Sequence, residues 1–188
     1  MIKKHYYSWT DVERMCVSIV NQMYTDNWKP DYIVGLTRGG NVPATIISNM
    51  TGIRCEALKV SLRDDDTQSE SNCWMAEDAY GYDEDGGYAP EMGQFNNLPE
   101  GKKILIVDDI NDTGATFNWI AKDWQSNCLP DSPLWNQIWG SNVRIATLTD
   151  NLASETVLPV SYTCHEINKS EEDVWLVYPW ENVGNYGS

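Results

Sequence analysis

Residues Ile104 to Thr116, reading ILIVDDINDTGAT, constrain this chain more than any other stretch. Ile104, Leu105, Ile106 and Val107 are four consecutive apolar residues, three of them β-branched, the composition of a strand buried on both faces. The strand ends in paired carboxylates, Asp108 and Asp109, and a short turn follows, Asp112-Thr113-Gly114-Ala115-Thr116. Behind it Phe117, Ile120, Ala121 and Trp124 recur at helical spacing. Unpaired N–H groups at a helix start, with Thr hydroxyls beside them, suit a phosphate. Carboxylates one turn earlier suit sugar hydroxyls or a hydrated divalent cation.

Composition narrows the classes. The formal charge of −15 argues against a nucleic-acid binder, which would neutralise backbone phosphates with Lys and Arg, and equally against an anionic membrane surface. The five cysteines (Cys16, Cys55, Cys73, Cys128, Cys164) are odd in number, scattered, and form no C-x-x-C pair. That pattern reads as reduced thiols in a cytoplasmic protein, with neither a disulfide framework nor a zinc site. No signal-like apolar run opens the sequence, and no stretch reaches membrane-spanning length. A chain of 188 residues is expected to form one domain with a sizeable core.

Taken in order, Ser8 is a candidate N-cap with Asp11 completing a near capping box, and the periodicity of Val12, Met15, Cys16, Ile19, Val20 and Met23 predicts a helix over 9–25. Tyr32 to Leu36 reads as a short buried strand that delivers Thr37-Arg38-Gly39-Gly40 to its carboxyl end. Glycines let a backbone approach an anion closely, and Arg38 offers a forked cation ahead of a helix over 41–51, whose dipole favours negative charge. Taken singly, the same tetrad could be an ordinary strand-to-helix turn. Residues 56–61 read as a further strand. From Asp64 to Glu100 there are eleven Asp or Glu and no Lys, Arg or His, a stretch without lasting period that reads as a long acidic loop (62–101), either a lid or a solvated excursion.

Asp131-Ser132-Pro133 breaks the chain after the central helix. Trp135 and Trp139 then mark a short helical insert (131–141) that packs on the body or on a second subunit. Strands are expected over 142–149, 160–166 and 174–178. Alternating strands and helices, with the polar chemistry at strand ends, imply an α/β fold: an open parallel sheet flanked by helices, with a crevice at its carboxyl edge.

Four segments in order, Tyr7-Ser8-Trp9, VGLTRGGNVPATIISNMTGIR (34–54), VDDINDTGAT (107–116) and VWLVYPWE (174–181), resemble the type I phosphoribosyltransferases, most of all their xanthine-guanine/hypoxanthine branch. The resemblance implies a small hood over the parallel sheet, a mobile lid, and transfer of ribose 5-phosphate from phosphoribosyl pyrophosphate (PRPP) to a nucleobase, a purine by this branch, with Mg²⁺ as cofactor. It implies that Asp108 and Asp109 contact the ribose hydroxyls directly or through the metal. Asp112 would lie near the purine N7 as a proton acceptor. Thr113, Gly114, Ala115 and Thr116 would hold the 5′-phosphate, and Thr37, Arg38 and Gly39 the pyrophosphate, with a cis peptide at Thr37-Arg38. Trp175 would stack on the base and Leu176 would meet its edge through main-chain groups, although a Trp in a late strand commonly just fills core space. The expected partners are PRPP, a nucleobase and further copies of the chain in a dimer or tetramer.

Three departures stand beside this. Where the branch places a base-reading Lys after the strand that follows the central helix, this chain has Thr147-Leu148-Thr149-Asp150-Asn151, with Asp150 near the expected Lys; an acid accepts where Lys donates, which favours a 6-amino base or another substrate altogether. The acidic loop offers only Arg63, at its start, to a pyrophosphate, and its extra length has no counterpart in the family. A second reading therefore stays open: a non-catalytic PRPP- or nucleotide-sensing module on the same fold.

Overall fold

A computed structural model describes residues 2–60, 62, 69–81 and 101–181. Alternation along the strands sorts the core into two layers. On β4 (Ile104–Asn111), Ile104 and Ile106 face one way, Leu105 and Val107 the other. On β2 (Tyr32–Thr37), Val34 and Leu36 join the first layer and Ile33 the second. A strand whose two faces are both apolar needs helices above and below. The second layer is covered by α1 (Trp9–Thr25) and α2 (Asn41–Thr51). The first is covered by α3 (Cys73–Tyr80), α4 (Ala115–Asn127) and the single-turn α5 (Trp135–Ile138).

The main sheet is parallel throughout, in the order β3-β2-β4-β5-β6, with β3 at Cys55–Lys59, β5 at Val143–Asn151 and β6 at Tyr162–Ile167. The chain therefore reverses its winding between β2 and β4, the place where open α/β sheets part to form a crevice. A second, two-stranded parallel sheet pairs β1 (Lys3–Tyr6) with β7 (Val174–Val177) and forms the expected hood. The sequence reading placed no strand at β1. Its four residues are all exposed, so no buried stripe announces it.

The capping box at Ser8 forms as expected, with Asp11 N–H donating to Ser8 Oγ at 3.0 Å and Ser8 N–H to Asp11 Oδ2 at 2.7 Å. One expectation changes and another is narrowed to one of its two alternatives. Within the stretch read as a long acidic loop, Cys73–Tyr80 is a helix, capped by Asn72 Oδ1 at Met75 N–H (2.9 Å) and closed by Gly81 at φ 87°. It buries Met75, Ala76, Ala79 and Tyr80, while Glu77 and Asp78 are half-buried and Asp78 accepts from the Tyr32 hydroxyl at 3.0 Å. Asp123 on α4 anchors its start, accepting from Ser71 Oγ at 2.8 Å and from Asn72 N–H at 3.1 Å. Residues 63–68 and 82–100 of the expected lid, Arg63 among them, lie outside the described residues. Second, Trp135 and Trp139 are buried within the chain's own body, stacked on each other at 5.6 Å, with Trp124 and Tyr80 alongside, so they offer no face to a second subunit. A buried Trp removes about 150–250 Å² from water, about 4–6 kcal/mol of transfer free energy, which pins the insert to α4.

Candidate active site

Because β2 and β4 are neighbours in parallel register, their carboxyl ends finish side by side. The loop after β2 and the acids of β4 are in direct contact. A Cβ built on Gly39 would stand 2.2 Å from Asp109 Oδ2, and one on Gly40 would stand 2.3 Å from the Val107 carbonyl oxygen. Only bare backbone fits between the two strands here. The peptide between Thr37 and Arg38 is cis, and the Arg38 side chain is exposed at the crevice.

The strand β4 runs four residues further than its apolar core suggested, so Asp108 and Asp109 lie within it rather than after it. Asp109 N–H donates to Asp108 Oδ1 at 2.9 Å and Ile110 N–H to Asp109 Oδ1 at 2.8 Å, so each carboxylate is held by the main chain of the residue that follows it. Burial, and then the charge of Asp109, push the Asp108 carboxyl well above the usual carboxylate range. Two adjacent carboxylates that resist joint ionisation form a donor set that a hard divalent cation would relieve. Magnesium is commonly held by one or two protein carboxylates, with substrate oxygens and water completing the shell. Among the described residues no group of three or more His, Cys, Asp or Glu gathers that could hold a metal ion.

The turn 112–114 leads into α4 through Gly114, whose φ of 89° is a left-handed conformation open to glycine. A Cβ there would also strike the Thr156 main chain at 2.4 Å. Thr113 and Ala115 are exposed and Thr116 is half-buried at the start of α4, where Ala115 N–H donates to Thr113 Oγ1 at 3.3 Å. The segment after β5 braces this turn. Glu155 N–H donates to the Thr113 carbonyl at 2.9 Å, and Asn118 of α4 donates to the Glu155 carbonyl at 3.0 Å while accepting from Val157 N–H at 2.7 Å.

Asp112 meets a residue that its surroundings in sequence do not reveal. Lys169, in the crossover from β6 to β7, places Nζ 2.8 Å from Asp112 Oδ1. Asn151, 5 % exposed, ties the two segments together. Its Nδ2 donates to the Asp112 carbonyl at 2.8 Å, and its Oδ1 accepts from Lys169 N–H at 3.0 Å and from Ala153 N–H at 3.2 Å. Asp150, near the place of the expected Lys, is engaged with Asn111 Nδ2 at 2.9 Å.

Trp175 is 56 % exposed on β7, so it does not fill the core. Its neighbour Leu176 is buried and belongs to the layer beneath α1 and α2. Three residues beyond Trp175, Tyr178 is buried and donates to the Asp109 carbonyl at 2.9 Å, joining the hood to the acids. Sequence reasoning singled out none of Tyr178, Asn151 and Lys169. Each acts through a partner far along the chain, and no local pattern signals such a pairing.

An open sheet covered on both faces, with a glycine loop, an acid pair and a helix start meeting at the winding reversal, defines a class of α/β proteins that take their ligand at the carboxyl edge. The particular family follows from comparison. Residues 1–179 match the family model described as "Phosphoribosyl transferase domain", and the chain belongs to that family. It is 22 % identical to xanthine phosphoribosyltransferase 1 of Saccharomyces cerevisiae, an alignment covering 95 % of this chain and 90 % of the yeast protein. The crystal structure of a purine phosphoribosyltransferase from Pyrococcus horikoshii shares the fold with a TM-score of 0.59 at 21 % identity, over 95 % of this chain and 94 % of that one. A xanthine-guanine-hypoxanthine phosphoribosyltransferase of Helicobacter pylori does so with a TM-score of 0.61 at 17 % identity and the same coverage. Among the described residues no helix is long and apolar enough to cross a membrane.

Proposed function

We propose that this chain transfers the phosphoribosyl group of PRPP to a purine carrying an oxo group at C6, releasing pyrophosphate. The observation that carries the reading is the contact between the Thr37–Gly40 loop and Asp109, which sets an anion-binding backbone against a pair of acids. Thr37, Arg38 and Gly39 bind the pyrophosphate, with the Arg38 guanidinium meeting the charge that builds on the leaving group. Thr113, Gly114, Ala115 and Thr116 bind the 5′-phosphate through N–H groups and hydroxyls at the start of α4. Asp108 and Asp109 orient the ribose hydroxyls and would hold Mg²⁺, which supplies positive charge to the diphosphate when bound.

As the bond from C1′ to the pyrophosphate oxygen breaks, the sugar takes on oxocarbenium character, and the purine nitrogen supplies the new C1′–N bond. The proton that the purine sheds passes to Asp112. Lys169 beside Asp112 makes the base class specific. An ammonium only donates and a carboxylate only accepts, so the pair fits an oxo oxygen next to a ring N–H. An exocyclic amino group would turn its hydrogens towards Lys169, leaving donor against donor. The relatives' names point the same way, since xanthine, guanine and hypoxanthine all carry the 6-oxo group. Trp175 stacks on the base from the hood, and the five cysteines, all unpaired, fit a reducing cytoplasm.

Incubation with PRPP, Mg²⁺ and a panel of bases tests this. Pyrophosphate release is expected with hypoxanthine, guanine or xanthine and not with adenine. Tight PRPP binding without release for any base would instead establish the sensing module. Lys169→Met should raise KM for the oxopurine about tenfold or more while leaving KM for PRPP within about twofold. Equal effects on both constants would remove Lys169 from base recognition.

A further inference from the structure

Helix α4 starts on Gly114, which has no side chain with which to cap it. A capping side chain would take N–H groups that the proposed 5′-phosphate needs. The turn is held from its other side instead. Residues 152–158 form neither strand nor helix and cross it as a strap. Glu155 N–H donates to the Thr113 carbonyl at 2.9 Å, and the Thr156 main chain fills the space where a side chain on Gly114 would stand.

Both ends of the strap are anchored. At one, Asn111 Nδ2 donates to Ser154 Oγ at 2.8 Å, and Asn151 Oδ1 accepts from Ala153 N–H at 3.2 Å. At the other, Leu158 is buried in the layer beneath α4. Between the anchors Glu155 and Val157 are exposed, so burial does not hold the middle. Asn118, in the first turn of α4, does. Its main-chain N–H donates to the Gly114 carbonyl at 3.0 Å and closes that turn. Its Nδ2 donates to the Glu155 carbonyl at 3.0 Å, and its Oδ1 accepts from Val157 N–H at 2.7 Å. A carbonyl only accepts and a peptide N–H only donates, so the fork needs one donor and one acceptor on a short stem. An aspartate would lack the donor and a leucine both.

We infer that Asn118 is a positioning residue for the 5′-phosphate turn. By clamping residues 155 and 157 it keeps Glu155 N–H on the Thr113 carbonyl and the Thr156 main chain against Gly114, so the turn is set before a phosphate arrives. This rests on the reading of Thr113, Gly114, Ala115 and Thr116 as the phosphate loop. With the fork cut, the middle of the strap lifts and the turn loses its outer wall. The Thr37–Gly40 loop lies on the β2 side of β4, whereas the strap leaves from β5, so the loss falls on the 5′-phosphate and not on pyrophosphate.

Calorimetric titration with guanosine 5′-monophosphate, guanosine and magnesium pyrophosphate tests it. Asn118→Ala is expected to raise the monophosphate Kd about fivefold or more, and to leave the Kd of guanosine and of pyrophosphate within about twofold. A folded variant with an unchanged monophosphate Kd, or with all three ligands weakened alike, overturns the inference. A second measurement needs no variant. By linkage, a phosphate that prefers the braced turn must tighten the brace. Amide hydrogen exchange at Glu155 and Val157 in the unaltered protein should therefore be about fivefold slower or more with the monophosphate than with guanosine. Equal exchange rates in those two complexes overturn it as well. Monophosphate bound no more tightly than guanosine by the unaltered protein would instead defeat the reading of the phosphate loop, an outcome separate from either.

Discussion

Gly39 and Gly40 are adjacent in the chain yet guard different things. A methyl on Gly39 would meet the end of the Asp109 side chain, which can swing aside, whereas one on Gly40 would meet the Val107 carbonyl, the Asp108 Cα and the Leu36 carbonyl, which cannot. Gly40→Ala should therefore cost about 3 kcal/mol or more of stability in denaturant melts. Gly39→Ala should cost less than about 1 kcal/mol and instead weaken PRPP binding, because the acid it displaces is one we propose to bind PRPP. Equal losses of stability would refute that division. At Asp108 the opposing trend is expected. Its carboxyl is buried beside a like charge, so Asp108→Asn should raise the thermal midpoint of the ligand-free protein while abolishing PRPP binding. A lowered midpoint would make this acid structural. The identity of these residues was plain in the sequence, since two acids after four apolar residues and two glycines after a short strand are local patterns. Their contact was not, because it needs β2 and β4 to be neighbours, and no spacing states strand order.

Among the elements, α1, α2 and β4 stood out because each carries strong apolar residues at its own period or in one unbroken run. The helix α3 did not. Its inner face is Met75, Ala76, Ala79 and Tyr80, two of them alanines, set among acids that read as a solvated loop. Packing, not propensity, makes it a helix: Asp123 of α4 holds its first residues, and its inner face completes the layer under Trp135. Asn72→Ala should accordingly cost about 1 kcal/mol, the usual worth of an N-cap, and Met75→Ala about 2–5 kcal/mol, both read from denaturation midpoints. Neither should alter the PRPP Kd of the folded protein, since α3 lies on the layer away from the hood. A shift in that Kd without loss of stability would place α3 in the site. The strand β1 escaped notice for a different reason: its pairing with β7 uses main-chain bonds, and its exposed side chains carry no trace of them.

For the molecule as a whole, a charge of −15 faces a polyanionic substrate, with Arg38 as the cation of the loop proposed to bind its pyrophosphate. The general field repels what the local site attracts. Raising salt from about 10 mM to about 150 mM shortens the screening length from about 30 Å to about 8 Å, which quenches the distant repulsion more than contacts within the crevice. KM for PRPP should fall over that range at constant free Mg²⁺, and a rise would mean that short-range attraction governs capture. The two sheets meet only in three dimensions, and so do the groups that finish the site: Lys169 reaching Asp112 across Asn151, and Tyr178 reaching Asp109 from the hood. By itself the order of residues determined the covered parallel sheet and the family, because a strand's burial and a loop's chemistry are written in consecutive residues. Only the tertiary structure decided which cation stands beside Asp112 and which phenol meets the Asp109 carbonyl, because hydrogen bonds between distant segments depend on strand order and on where each crossover lands.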